Sequence, residues 1–139
     1  MLNNIGFIDG AWTYRSFLNN PDASVPFNNL EFATAAMTLK VHDDSTISGQ
    51  LDMGESGSLN MKGRIVCCLN DISHFEIEGY GVPGTATEGW VYSYYGFIIP
   101  KWSQGVNQVD AMVGSVVRSA DHGSAKAGKV ASFYMVRKG

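Results

Sequence analysis

Apolar residues recur mostly at every second position along this chain, and clusters of Gly, Asn, Asp and Pro interrupt them about every 10 to 15 residues. A period of two is typical of β-strands, whose side chains point alternately to the two faces of a sheet, whereas helices repeat every 3.6 residues. The pattern predicts eight strands, near residues 8–18, 31–41, 45–53, 58–69, 72–79, 88–99, 109–119 and 129–137.

Short connections join these strands, the shortest being at 44–45, 54–57 and 70–71. Eight antiparallel strands with short loops are enough to close an up-and-down β-barrel, and closure removes the unpaired edges of a sheet. The chain of 139 residues is long enough for one domain with a real core and too short for two. We therefore expect a single all-β barrel domain over residues 1–139, with little or no helix.

The alternation also assigns faces to the strands. On 58–69, Leu59, Met61 and Ile65 share the face predicted to point inward. The ATAAM stretch at 33–37 has helix-forming residues, yet the alternation runs through it, so we expect a strand there. On 109–119 the pattern does not decide which face points inward.

The strand near 88–99 differs because it is apolar on both faces. We expect Trp90, Tyr92 and Tyr94 to face the lumen, which places the alternate residues outside. Exposed aromatic surface of this size is uncommon on monomers, so a loop, a neighbouring subunit or a partner protein should cover the outer face. We favour a homodimer contact, with the interface residues Tyr95, Phe97, Ile99 and Trp102.

Charge and composition disfavour several classes of partner. The net charge is −3 and the ten Lys and Arg residues are scattered, which argues against nucleic acid and an anionic membrane surface as partners. No run approaches the roughly 20 apolar residues of a membrane helix, and the start lacks a signal-peptide pattern. Cys67 and Cys68 are adjacent and should point to opposite faces of a strand, which favours a reduced compartment. We expect a cytoplasmic protein.

A Gly10-Ala11-Trp12 sequence opens the first strand. This G-x-W resembles the opening of lipocalins and of avidin- and streptavidin-like barrels. The resemblance to lipocalins implies that Trp12 closes the barrel floor and that an arginine from late in the chain, Arg137 or Arg118, packs over the indole by cation–π contact. The chain lacks a T-D-Y motif, a helical pattern after the last strand and a disulfide, so the shorter, helix-free streptavidin-like barrel fits better than the lipocalin.

A second resemblance covers residues 80–119, YGVPGTATEGWVYSYYGFIIPKWSQGVNQVDAMVGSVVRS. This stretch is similar to the central signature of a family of short proteins of unassigned function. With the GAWTYRSFLNNPD opening, the likeness extends over most of the chain. It implies a barrel fold and no particular chemistry.

Motifs for catalysis or cofactors are weak. Residues 79–84 match G-x-G-x-x-G, a motif that binds dinucleotides where a helix follows it. Here a strand is predicted to follow, so we interpret these residues as a loop at the rim of the barrel. The histidines, His42, His74 and His122, lack metal-site spacing and are interpreted as surface residues. Glu76 and Glu78 could form an acid/base pair, yet their predicted face is outward. We expect no metal, no cofactor and no catalytic residue.

The predicted lumen is the remaining place for a ligand. An eight-stranded barrel is either filled by its own side chains or holds one small molecule. Buried tyrosine hydroxyls need polar partners, and a buried guanidinium needs an anion or a carboxylate. The candidate lumen residues are Tyr14, Trp90, Tyr92, Tyr94 and Arg118.

Three functions remain open at this point. The first is a binding protein for a small, mostly apolar ligand. The second is a solid barrel that acts by oligomerisation or protein interaction. The third, with no nucleophile or metal to support it, is an enzyme of the barrel-isomerase type.

Overall fold

The computed structural model describes residues 8–69 and 72–138 of the chain. The side chains of residues 67–69 and 72 are not part of this description. The predicted orientation of Cys67 and Cys68 therefore lies outside the described side chains.

Eight antiparallel strands form a closed barrel in which each strand pairs with its sequence neighbours and the first pairs with the last. This confirms the predicted all-β, up-and-down barrel. Two short 3-10 turns, Phe27–Leu30 and Gly54–Ser56, lie between strands. The strands are β1 Gly10–Leu18, β2 Glu31–Val41, β3 Thr46–Asp52, β4 Ser58–Leu69, β5 Ile72–Gly81, β6 Val91–Ile99, β7 Ala111–Arg118 and β8 Val130–Arg137.

The predicted start of β6 at residue 88 was wrong, because the TATEGW stretch forms turns. Gly84 and Gly89 have φ values of +82° and +85°, a backbone conformation that suits glycine and interrupts a strand. The buried Thr87 holds this loop against the barrel, since its hydroxyl donates to the carbonyl oxygen of Ser58 at 2.8 Å. The strand begins only at Val91.

The half of the lumen nearer Trp12 is filled by its own side chains. Apolar residues from the seven strands other than β6 are buried there, including Met37, Ile47, Phe75, Met112 and Met135, and the partly buried Ile98 of β6 packs against them. Above them, an aromatic layer made of Tyr14, Tyr94 and Phe133 crosses the barrel, with ring centroids 5.6 to 5.9 Å apart. This aromatic layer is the floor of the space that remains in the other half.

Met112 and Val116 of β7 point into the barrel, and each is 1% exposed. The face of β7 that points inward, which the sequence pattern did not decide, is therefore the one that carries these two residues. Gly96 of β6 and Gly114 of β7 are directly paired on this inner face. A methyl group on Gly114 would overlap the carbonyl oxygen of Tyr95, so the two strands approach too closely for a side chain at this point.

Among the described residues, no helix is long and apolar enough to cross a membrane.

Candidate ligand-binding site

One end of the barrel is closed by Trp12. Its ring is fully buried, and its Nε1–H donates to the carbonyl oxygen of Ile8 at 2.9 Å. The guanidinium of Arg137 lies over the indole, 4.6 Å from the ring centroid, and its Nη1 donates to the carbonyl oxygen of Asp9 at 2.8 Å. Gly10 makes room for this arginine, because a Cβ there would lie 2.9 Å from Nη1.

The opposite end, which we term the mouth, opens into a cavity of about 490 Å³. The mouth is formed where the odd-numbered strands end and the even-numbered strands begin. Apolar side chains such as Leu51, Leu59 and Val116 line the cavity wall, and Tyr14 and Tyr94 of the aromatic layer form its base. Cavities of roughly 300 to 1,000 Å³ are typical of sites for small molecules.

Four polar or aromatic side chains meet at the mouth, and we call Trp90, Tyr92, Arg118 and His122 the mouth cluster. They come from the loop before β6, from β6, from β7 and from the loop after β7, respectively. Arg118 Nε donates to the hydroxyl of Tyr92 at 3.0 Å, and that hydroxyl lies 2.9 Å from Nε2 of His122. Trp90 stacks on the His122 ring, with centroids 4.1 Å apart and planes 17° apart.

The mouth cluster defines the protonation state of His122. Partial burial, and then the positive charge of Arg118, lowers the pKa of His122 below its ordinary value. The Tyr92 hydroxyl accepts from Arg118 Nε, and which partner donates in its hydrogen bond with Nε2 of His122 depends on the imidazole tautomer.

The phenols of the aromatic layer are also perturbed. Burial raises the pKa of Tyr14 and that of Tyr94. Both groups therefore remain protonated at neutral pH. They supply two polar points at the base of the cavity.

All five residues predicted from the sequence to line the lumen contact this one cavity: Tyr14, Trp90, Tyr92, Tyr94 and Arg118. Trp90 does so from the loop before β6 and is only half-buried. Of the two arginines considered for Trp12, the structure places Arg137 over the indole and Arg118 at the mouth.

The residues predicted to form an interface lie outside the barrel. Tyr95, Phe97 and Ile99 alternate along the outer face of β6, and Trp102 lies in the following loop. Their exposed fractions are 50, 51, 36 and 72%. Within the described chain, no loop covers Tyr95 or Phe97.

Sequence reasoning missed three residues at the mouth. His122 was interpreted as a surface histidine, and Glu31 and Phe32 at the start of β2 were not considered. The sequence contains only a weak signal for His122. This residue follows Arg118 by four positions, in a loop that connects β7 to β8 at the same end of the barrel. An isolated β-bridge between His122 and Ala125 folds that loop over the mouth.

The candidate acid/base pair of the sequence lies on the outer face of the barrel. Glu76 and Glu78 point outward, where Glu76 pairs with Arg64 at 3.3 Å and Glu78 accepts hydrogen bonds from Tyr80 and Ser93. Residues 8–69 and 72–138 contain no group of three His, Cys, Asp or Glu side chains that could hold a metal ion.

No protein-family model, curated protein sequence or solved structure matches the chain.

Proposed function

We propose that this protein is a non-catalytic β-barrel that binds one small, mostly apolar ligand in its lumen. The observation that carries the proposal is the aromatic-lined cavity of about 490 Å³, closed at the Trp12 end and open at the mouth. A pocket closed at its base buries most of a small ligand, and its apolar walls supply the driving force for binding. The convergent hydroxyls of Tyr14 and Tyr92, together with the Arg118 guanidinium, would orient the ligand.

A thermal-shift screen tests this proposal directly. A ligand that binds the folded state raises the midpoint of unfolding by mass action. The panel contains fatty acids and other lipids, haem, flavins and aromatic acids. At least one class should produce a concentration-dependent increase, and no response from any class would contradict an open, ligand-binding lumen.

A matched pair of variants shows whether a hit occupies the lumen. Ala33 of β2 lines the cavity, whereas Ala36 on the same strand is exposed on the outer face. Ala33→Phe should fill part of the cavity and remove the ligand-induced shift. Ala36→Phe should leave that shift unchanged, and an equal response in both variants would place the ligand elsewhere.

A second candidate function is self-association through the outer face of β6. We propose that a second copy of the chain covers Tyr95, Phe97 and Ile99, because their exposure leaves a contiguous apolar stripe in water. The residues paired with this stripe on β7 are Ser115, Val113 and Ala111, which are small and leave the rings accessible.

Light scattering tests the second candidate. Phe97→Asp should convert a dimer to a monomer, because a buried unpaired carboxylate is strongly unfavourable in an interface. Ala36→Asp adds the same charge to a different outer face and should leave the mass unchanged. A monomeric wild-type protein, or an unchanged mass for Phe97→Asp, would rule out this interface.

We also propose a relationship to lipocalin- and streptavidin-like barrels and a cytoplasmic location. The packing of Arg137 over Trp12 beside Gly10 supports the first, since it is the arrangement that the G-x-W resemblance implies. The adjacent cysteines Cys67 and Cys68 support the second.

A further inference from the structure

Arg118 carries a positive charge at the mouth of the cavity that no described carboxylate neutralises. In the described part of the chain, no Asp or Glu oxygen lies within ion-pair distance of its guanidinium. Its Nε donates to Tyr92 at 3.0 Å, and its Nη1 donates to the carbonyl oxygen of Lys126 at 3.2 Å. A guanidinium has five N–H donors, so three of them remain for a group inside the mouth.

The guanidinium is also held in a defined position. It lies over two aromatic rings, 5.7 Å from the centroid of Phe32 and 5.8 Å from that of Tyr92. The hydroxyl of Tyr92 accepts a hydrogen bond from Nε of Arg118 and is also hydrogen-bonded to His122, which holds both side chains in place. A planar fork held in this way binds a carboxylate with little loss of side-chain freedom.

We propose that the ligand is an amphipathic carboxylate whose apolar body fills the lumen and whose carboxylate binds the guanidinium of Arg118 at the mouth. This inference rests on the proposed ligand-binding function and specifies its ligand class. The polarity of the cavity matches such a molecule, because Leu51, Leu59 and Val116 line the wall while Arg118 is at the rim.

Glu31 is the acidic residue that shares this cavity. Its Oε2 accepts a hydrogen bond from Thr34 Oγ1 at 3.0 Å, which turns the carboxylate toward its own strand. The carboxylate of Glu31 would repel a carboxylate ligand at Arg118 electrostatically, and it would not repel an uncharged ligand in this way. Removal of this negative charge should therefore favour the anionic ligand alone.

Isothermal titration calorimetry on two probe pairs tests the proposal. The pairs are decanoate with decan-1-ol, and 4-phenylbutyrate with 4-phenylbutan-1-ol, so the members of each pair share the apolar body and differ in the head group. The wild-type protein should bind the carboxylate about 10- to 100-fold more tightly than the alcohol in at least one pair, the usual contribution of a charged hydrogen bond.

Variants of Arg118 identify the group responsible. Arg118→Met retains the length of the side chain without its charge, and it should reduce carboxylate affinity to that of the alcohol while alcohol affinity stays the same. Arg118→Lys should restore part of the difference, since it retains the charge without the planar fork. Glu31→Gln should increase carboxylate affinity a few-fold and leave alcohol affinity unchanged.

The outcomes separate this inference from the proposed function. Equal wild-type affinities for the two members of both pairs, or a parallel loss of both in Arg118→Met, would overturn the carboxylate assignment and leave lumen binding in place. An absence of binding by all four probes, together with no response in the thermal-shift panel, would overturn both.

Discussion

Replacement of Trp12 by alanine should be among the most destabilising single changes in this protein. The ring is fully buried, donates a hydrogen bond to Ile8 and lies under the guanidinium of Arg137. The variant removes all three interactions and leaves a cavity at the closed end, because the surrounding strands are fixed by their pairing in the barrel.

The expected loss follows from these interactions. Burial of a tryptophan side chain removes roughly 200 Å² of accessible surface from water, which corresponds to a stabilisation of about 5 kcal/mol at 25 cal/mol per Å². Relaxation of the surrounding side chains reduces this loss of stability, and measured losses in the free energy of unfolding for tryptophan-to-alanine changes in protein cores are about 3–5 kcal/mol. Trp12→Phe retains a ring but loses the Nε1–H donor, so it should cost about 1–3 kcal/mol through the unpaired Ile8 carbonyl.

Urea unfolding followed by circular dichroism measures these losses, provided that the slope of free energy against urea is the same in each variant. Trp102→Ala is the matched control, because this ring is 72% exposed and its loss should change the free energy of unfolding by no more than about 0.5 kcal/mol. A loss below about 1 kcal/mol for Trp12→Ala would show that the indole does not close the barrel.

Three further predictions concern the wall and the mouth. Gly114→Ala should lower the free energy of unfolding in urea by about 1–3 kcal/mol, because its methyl group overlaps backbone atoms of β6. The control Ser115→Ala, on the outer face, should be nearly neutral. Equal effects of the two variants would contradict the close approach of β6 and β7. The lowered pKa of His122 means that the unfolded chain binds more protons just below pH 6.5, so stability should fall as the pH decreases from that value toward the folded-state pKa. A His122→Gln variant should show a shallower decrease in thermal midpoint, and an identical pH profile would refute this assignment. Tyr92→Phe should weaken carboxylate binding and spare alcohol binding in calorimetry, because it releases the Arg118 guanidinium; equal weakening of both would indicate a packing role alone.

The barrel was predictable because its strands bury only one face. On β4, the alternation of Leu59, Met61 and Ile65 with polar residues determines the inward side, and each of these three is buried. Strand β7 was ambiguous, because Val113 and Val117 on one face are as apolar as Met112 and Val116 on the other. Only the pairing with β6 and β8 decides its orientation.

The candidate site was predictable only in part. Tyr14, Tyr92 and Tyr94 lie on strands, and their direction follows from the period of two. His122 lies in a loop, where side-chain direction depends on turns and on the stacking with Trp90, and neither leaves a periodic signal. Turn residues caused the error at the start of β6 for the same reason.

The described chain begins, at Ile8, and ends, at Lys138, on the side of the barrel that Trp12 closes. Strand β1 begins and β8 ends there, and the amide of Lys138 donates to the carbonyl oxygen of Ala11 at 2.9 Å. A tether that joins the barrel at the start of β1 or at the end of β8 would therefore be attached at the end opposite the mouth. Immobilisation on a sensor through that end would leave the mouth facing solution, and partners fused next to β1 and β8 would share one pole of the barrel.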